Sequence, residues 1–79
     1  MPPYQAIYSV GSTVRIAASD KLIEFLETWT YHNKLSREQL HYAGRSATVR
    51  SVSFYHGGDA LYQLNEIPGI WHEVCLERP

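Results

Sequence analysis

The sequence predicts a mainly β domain: a small five-stranded barrel with a helical insertion between its first and second strands. Three observations carry this. Apolar and polar residues alternate over Thr13-Val14-Arg15-Ile16-Ala17, and again from Ser46 onward; a period of two is that of a half-buried strand. Between these stretches Leu22, Phe25, Leu26 and Trp29 fall at i, i+3, i+4 and i+7, the apolar stripe of an amphipathic helix. Finally, Gly57-Gly58-Asp59 and Pro68-Gly69 punctuate residues 47–76, where such pairs let strands fold back.

Each element follows from local chemistry. Residues 1–9 carry two prolines and read as extended, with Ile7 docking on the core. Val10-Gly11-Ser12 marks a turn into the first strand, which points Val14 and Ile16 inward and Thr13, Arg15 and Ala17 outward. Ser19 and Asp20 are N-cap types, and the helix they open is expected over 20–29, with Trp29 bolting it to the barrel. Asn33 suits a terminating position, and Tyr31-His32 reads as an exposed helical extension. Ser36 and Gln39 have the spacing of a capping box behind Leu35, so a short helix is expected over 37–43. Gly44 then supplies a positive φ at its end.

In the second half, Val49 and Val52 are three apart rather than two. A β-bulge at Arg50-Ser51 would return both to the core side. Tyr55-His56-Gly57-Gly58-Asp59 is the expected hairpin turn, its glycines taking the positive φ that tight turns need. Leu61-Tyr62-Gln63-Leu64 is the return strand. Ile67-Pro68-Gly69-Ile70 fits a type II turn, with proline second and glycine third. Ile70-Trp71-His72-Glu73 is a short strand, 73–75 a single 3₁₀ turn, and Leu76-Glu77 closes the barrel against the first strand.

A chain of 79 residues makes one domain, spanning 1–79. A single core of this size supports roughly 3–5 kcal/mol of net stability. Six Tyr, two Trp and two Phe help, because each buries on the order of 150–250 Å². The formal charge is −1, and Arg15, Lys34, Arg37, Arg45 and Arg50 lie scattered among acids rather than in a basic stripe. Nucleic-acid binding is therefore not expected. No apolar run approaches the roughly 18 residues that span a bilayer, and MPPYQAIYSVGS has neither the basic nor the apolar region of a leader. Cys75 is the lone cysteine and cannot close an intrachain disulfide, which fits a reducing compartment. A cytoplasmic location is expected, without a membrane.

Two classes of function compete. Tyr55, His56, Asp59, Trp71, His72 and Glu73 converge if the meander forms, and amphipathic aromatics beside polar tips are the usual makeup of a protein interface. The competing position for Trp71 is the core. The other class is a small metal- or thiol-dependent enzyme using His56, Asp59, His72 and Cys75. His72 and Cys75 are three apart, as two ligands on one helical turn would be, and a thiol beside an imidazole is a nucleophile pair. Against it stands the absence of any Cys-x₂-Cys or His-x₃-His spacing.

The order of parts resembles the SH3-like barrels. Val10-Gly11-Ser12-Thr13-Val14-Arg15 would open the barrel. Ala43-Gly44-Arg45-Ser46-Ala47-Thr48-Val49 would enter its second strand, and Leu61-Tyr62-Gln63-Leu64 with Trp71 and Glu73 would precede its closure. Within that group it is most similar to the C-terminal barrel of the nitrile hydratase β subunit, whose pattern His32, Tyr42, Gly44 and Arg45 would match. The resemblance implies an accessory, non-catalytic module. In that family the metal belongs to the α subunit, and this chain has no cysteine cluster to hold one. Asn33, Lys34 and Leu35 stand where the family has Arg and Pro, and the Ala-Leu-Tyr-Asp opening of eukaryotic SH3 domains is missing. The expectation is a protein-interaction module without cofactor or metal, acting on a protein partner, with pairing of two copies through a barrel edge as a further option.

Overall fold

The computed structural model describes residues 6–55 and 58–79. Among them are five strands: β1 (Thr13–Ile16), β2 (Ser46–Phe54), β3 (Ala60–Leu64), β4 (Ile67–His72) and β5 (Leu76–Glu77). One α-helix, α1 (Ser19–Thr28), and a 3₁₀ segment, Arg37–Tyr42, lie between β1 and β2. The strands pair antiparallel in the order β4-β3-β2-β1-β5 and curl into a half-barrel. This architecture is compatible with an SH3-like barrel.

Register explains the packing. Thr13, Val14 and Arg15 face Thr48, Ala47 and Ser46, while Ile16 faces Leu76 on the other side. In β2 the ladder steps from Val49↔Leu64 to Ser51↔Gln63, so Arg50 is the extra residue of a bulge. The expected bulge is there, and it returns Val52 opposite the buried Tyr62. Trp71 also faces Tyr62, and both are fully buried. Ile16, Leu22, Leu64, Val14, Val49 and Cys75 complete the tightest part of the core. The single turn Glu73–Cys75 and the closing pair of β5 with β1 also form as the sequence predicts.

Several expectations are corrected. The chain does not turn at Pro68-Gly69. It turns at Asn65-Glu66, directly between the paired Leu64 and Ile67, with Glu66 at φ +64°. Pro68 and Gly69 instead sit inside β4, where three residues oppose the single Gln63. A proline that cannot donate to a ladder is tolerated there because β4 is an edge strand. Helix α1 begins one residue early, capped by Ala18 in extended conformation without a side-chain hydrogen bond, so neither Ser19 nor Asp20 is its cap. The second helical stretch does form, as a 3₁₀ segment that ends at Tyr42, and Gly44 adopts φ +78° behind it as expected. Residues 29–36 are not helical. Ala17 is fully buried rather than outward, because the strand ends at Ile16. Near the start Ile7 is exposed, and it is Tyr8 that packs on the core.

Gln39 ties the insertion to the sheet. Its carbonyl accepts the Ser36 N–H at 2.9 Å, the expected capping contact, and its Nε2 donates to Ile70 O at 3.0 Å. A Cβ on Gly69 would lie 2.8 Å from that Nε2. The bulge therefore needs glycine twice, for its φ of +98° and for the space Gln39 occupies.

Candidate functional site

Rings gather where α1, the segment after it and the β2–β3 turn meet. The i, i+4 spacing puts Phe25 and Trp29 on one side of the helix, stacked with centroids 5.4 Å apart. Trp29 ends the helix, and its indole N–H donates to His32 O at 2.7 Å. This contact folds the next residues back over the ring. Tyr31 and His32 then meet Trp29 edge-on, at 5.0 and 5.3 Å. His32 lies flat on Tyr55, with centroids 3.6 Å apart and planes 6° from parallel. His72 enters from β4, 4.9 Å from Phe25 and 5.0 Å from Trp29.

The polar atoms are unevenly satisfied. His72 is 4% exposed, and its Nε2 lies 2.9 Å from Asn33 O, a carbonyl that can only accept, so the proton sits on Nε2. Asn33 presents that carbonyl from a left-handed φ of +49°. Burial lowers the proton affinity of His72; nearby His32 acts in the same direction, and the Asn33 carbonyl and Asp59 oppose it. His32 Nε2 lies 3.3 Å from Asp59 Oδ2, but the alignment is not that of a hydrogen bond, and this buried nitrogen has none among the described residues. Asp59 is half exposed, held by its carbonyl, which accepts the Tyr55 N–H at 3.0 Å.

A cleft of about 270 Å³ opens beside this cluster, lined by Phe25, Trp29, Asp59, His72, Glu73 and Val74 together with Gly58 and Ala60. Glu73 is fixed at its edge. Its Oε2 accepts the Tyr62 O–H at 2.5 Å and the Ile7 N–H at 3.0 Å. Tyr62 Oη in turn accepts the Tyr8 N–H at 3.3 Å. Burial, then the bond to Glu73, pushes the Tyr62 hydroxyl far up, so it stays a donor.

Of the six residues expected to form a docking surface, Tyr55, Asp59, His72 and Glu73 do gather around this cleft and ring cluster. Trp71 does not join them. It is fully buried opposite Tyr62, so its place is the core, and an alternating strand that presents His72 to the cluster must turn Trp71 the other way. His56 lies outside the described residues. Of the residues of the metal or thiol alternative, Asp59, His72 and Cys75 are described, and Cys75 lies apart from the cleft in the core. Cys75 is 1% exposed within the core, and burial pushes its thiol up to about 11, away from nucleophilic thiolate. Among the described residues no group of three His, Cys, Asp or Glu is placed to share an ion. The helical spacing of Phe25 and Trp29 is equally that of core residues, which is why Trp29 reads in the sequence as the bolt of the helix rather than as a binding anchor. The stacking of His32 on Tyr55 has no sequence signal, since the two are far apart in the chain. Among the described residues no helix is long and apolar enough to cross a membrane.

No protein-family model, curated protein or solved structure matches the chain. The similarity to the nitrile hydratase β-subunit barrel therefore rests on the residues quoted for it alone.

Proposed function

We propose that this chain is a non-enzymatic interaction module on an SH3-like half-barrel, docking a partner protein at the cleft between α1 and the β2–β3 turn. One observation carries the reading: aromatic rings and half-exposed carboxylate chemistry converge on a concave surface at the edge of a rigid sheet. Interfaces use such anchors because rings offer large contact area at small entropic cost, while polar tips give orientation. Val74 and Tyr31 add exposed apolar surface, at 51% and 68%. The buried Cys75 and the neutral, hydrogen-bonded His72 favour this reading over thiol or metal catalysis. A role as accessory subunit, like the nitrile hydratase β barrel, is a narrower form of the same proposal.

Photo-cross-linking tests it. Benzoylphenylalanine placed at position 59 should capture a specific partner from cells of the source organism. The same probe at position 66, in the turn at the other end of β3, should not. Equal capture at both positions, or none at 59, would overturn the docking site.

A further inference from the structure

The cleft has a chemical bias beyond its shape. Two carboxylates, Asp59 and Glu73, line it, and among the described residues no Lys or Arg does. Its third titratable group, His72, is buried, donates through Nε2 and titrates below the ordinary histidine value, so it adds no positive charge at neutral pH. His32 stands behind, stacked on Tyr55 and 3.3 Å from Asp59. The remaining surface is that of the Phe25 and Trp29 rings and Val74. A volume of about 270 Å³ is just below the ~300–1,000 Å³ typical of small-molecule and cofactor sites. That is room for one inserted side chain.

We propose that the cleft takes an arginine side chain from the docking partner, its guanidinium set against the Phe25 and Trp29 rings and paired with the carboxylates of Asp59 and Glu73. The assignment rests on the docking reading above and names the chemistry of the partner. Rings with an acidic rim attract an organic cation. Arginine suits it better than lysine, because a planar guanidinium stacks on a ring while its fork of donors meets a carboxylate. Glu73 is held in position by Tyr62 and Ile7, and Asp59 is half exposed, with its Oδ2 3.3 Å from His32 Nε2.

The probe is a tripeptide, acetyl-Gly-Arg-Gly-amide, added to the ¹⁵N-labelled full chain and followed by two-dimensional NMR. Two control peptides carry citrulline, which is neutral and nearly the same shape, or lysine. The arginine peptide should shift the Trp29 indole and Asp59 amide signals and bind more tightly than the lysine peptide, and citrulline should leave them unmoved. Asp59→Asn, at an exposed site, should keep the spectrum of the folded chain and weaken arginine binding by about fivefold. Equal response to citrulline or lysine, shifts confined to other regions, or unchanged affinity in Asp59→Asn would overturn the assignment. If position 59 cross-links a partner while the arginine peptide gives no shift, the docking reading stands and the arginine assignment fails. If position 59 captures nothing, the docking reading itself has failed.

Discussion

Trp71 and His72 are adjacent, yet they are committed to opposite tasks. Trp71 fills the core against Tyr62, and its indole nitrogen has no hydrogen-bond partner among the described residues, so its contribution is packing. Removing a buried ring of that size costs about 3–5 kcal/mol, as much as the roughly 3–5 kcal/mol a core this small supplies. Trp71→Ala should therefore be unfolded at 25 °C, with the loss of dispersed NMR signals as the readout. His72 contributes in the other direction of the strand. Its folded-state proton affinity is lowered from the usual 6.5 by burial. The unfolded chain thus binds the proton more readily, and stability must fall as pH drops below about 6.5. Melting temperatures between pH 7.5 and 5 should decline for the wild type, and His72→Asn should flatten that part of the decline. An equal slope in both would remove His72 as the cause.

Elements show where local chemistry is decisive and where it is overruled. The bulge in β2 was legible, because Val49 and Val52 could both face inward only if one residue was looped out, and Arg50 is that residue. The closing strand and its 3₁₀ turn were equally plain. The Pro-Gly pair misled, since the same dihedral freedom serves a turn or a bulge. What decides is the partner: Gln39 needs the empty side of Gly69 to reach Ile70 O, a contact between distant segments. Gly69→Ala should therefore cost about 1–2 kcal/mol, from the left-handed φ and the crowded Cβ together. Gln39→Ala combined with Gly69→Ala should cost less than the sum of the two single changes, because the crowding is counted only once. Additive effects in thermal melts would break the proposed link. The α1 cap was missed for a related reason. Both Ser19 and Asp20 are good caps, but Ala18 takes the extended position, and strand geometry upstream sets that boundary.

Across the half-barrel, one ring, Trp71, lies inside the core while a cluster of rings gathers at the rim. The candidate docking residues Tyr55, Asp59, His72 and Glu73 were legible from the meander, since two returns of the chain bring them together. Phe25, Trp29 and His32 were not, because only the backward fold after α1, held by the Trp29 indole on His32 O, delivers them to the same place. The residues next to the first strand add a brace: Ile7 and Tyr8 donate to Glu73 and Tyr62, and Tyr8 O–H donates to Leu76 O at 3.2 Å. This brace and the cleft share Glu73, so the rim proposed to meet a partner is fixed by the same contacts that close the fold.

Charge reversal at the rim distinguishes partner binding there from binding elsewhere. Binding of the partner captured at position 59 should be measured by calorimetry for the wild type, Asp59→Lys and Glu66→Lys, each with its folded spectrum checked. Both changes add the same charge at exposed turns at opposite ends of β3. Asp59→Lys should lose at least about tenfold in affinity, the size of a like-charge penalty of roughly 1.4 kcal/mol, and Glu66→Lys should bind nearly as the wild type does. Equal affinities for all three, or a loss confined to Glu66→Lys, would contradict it.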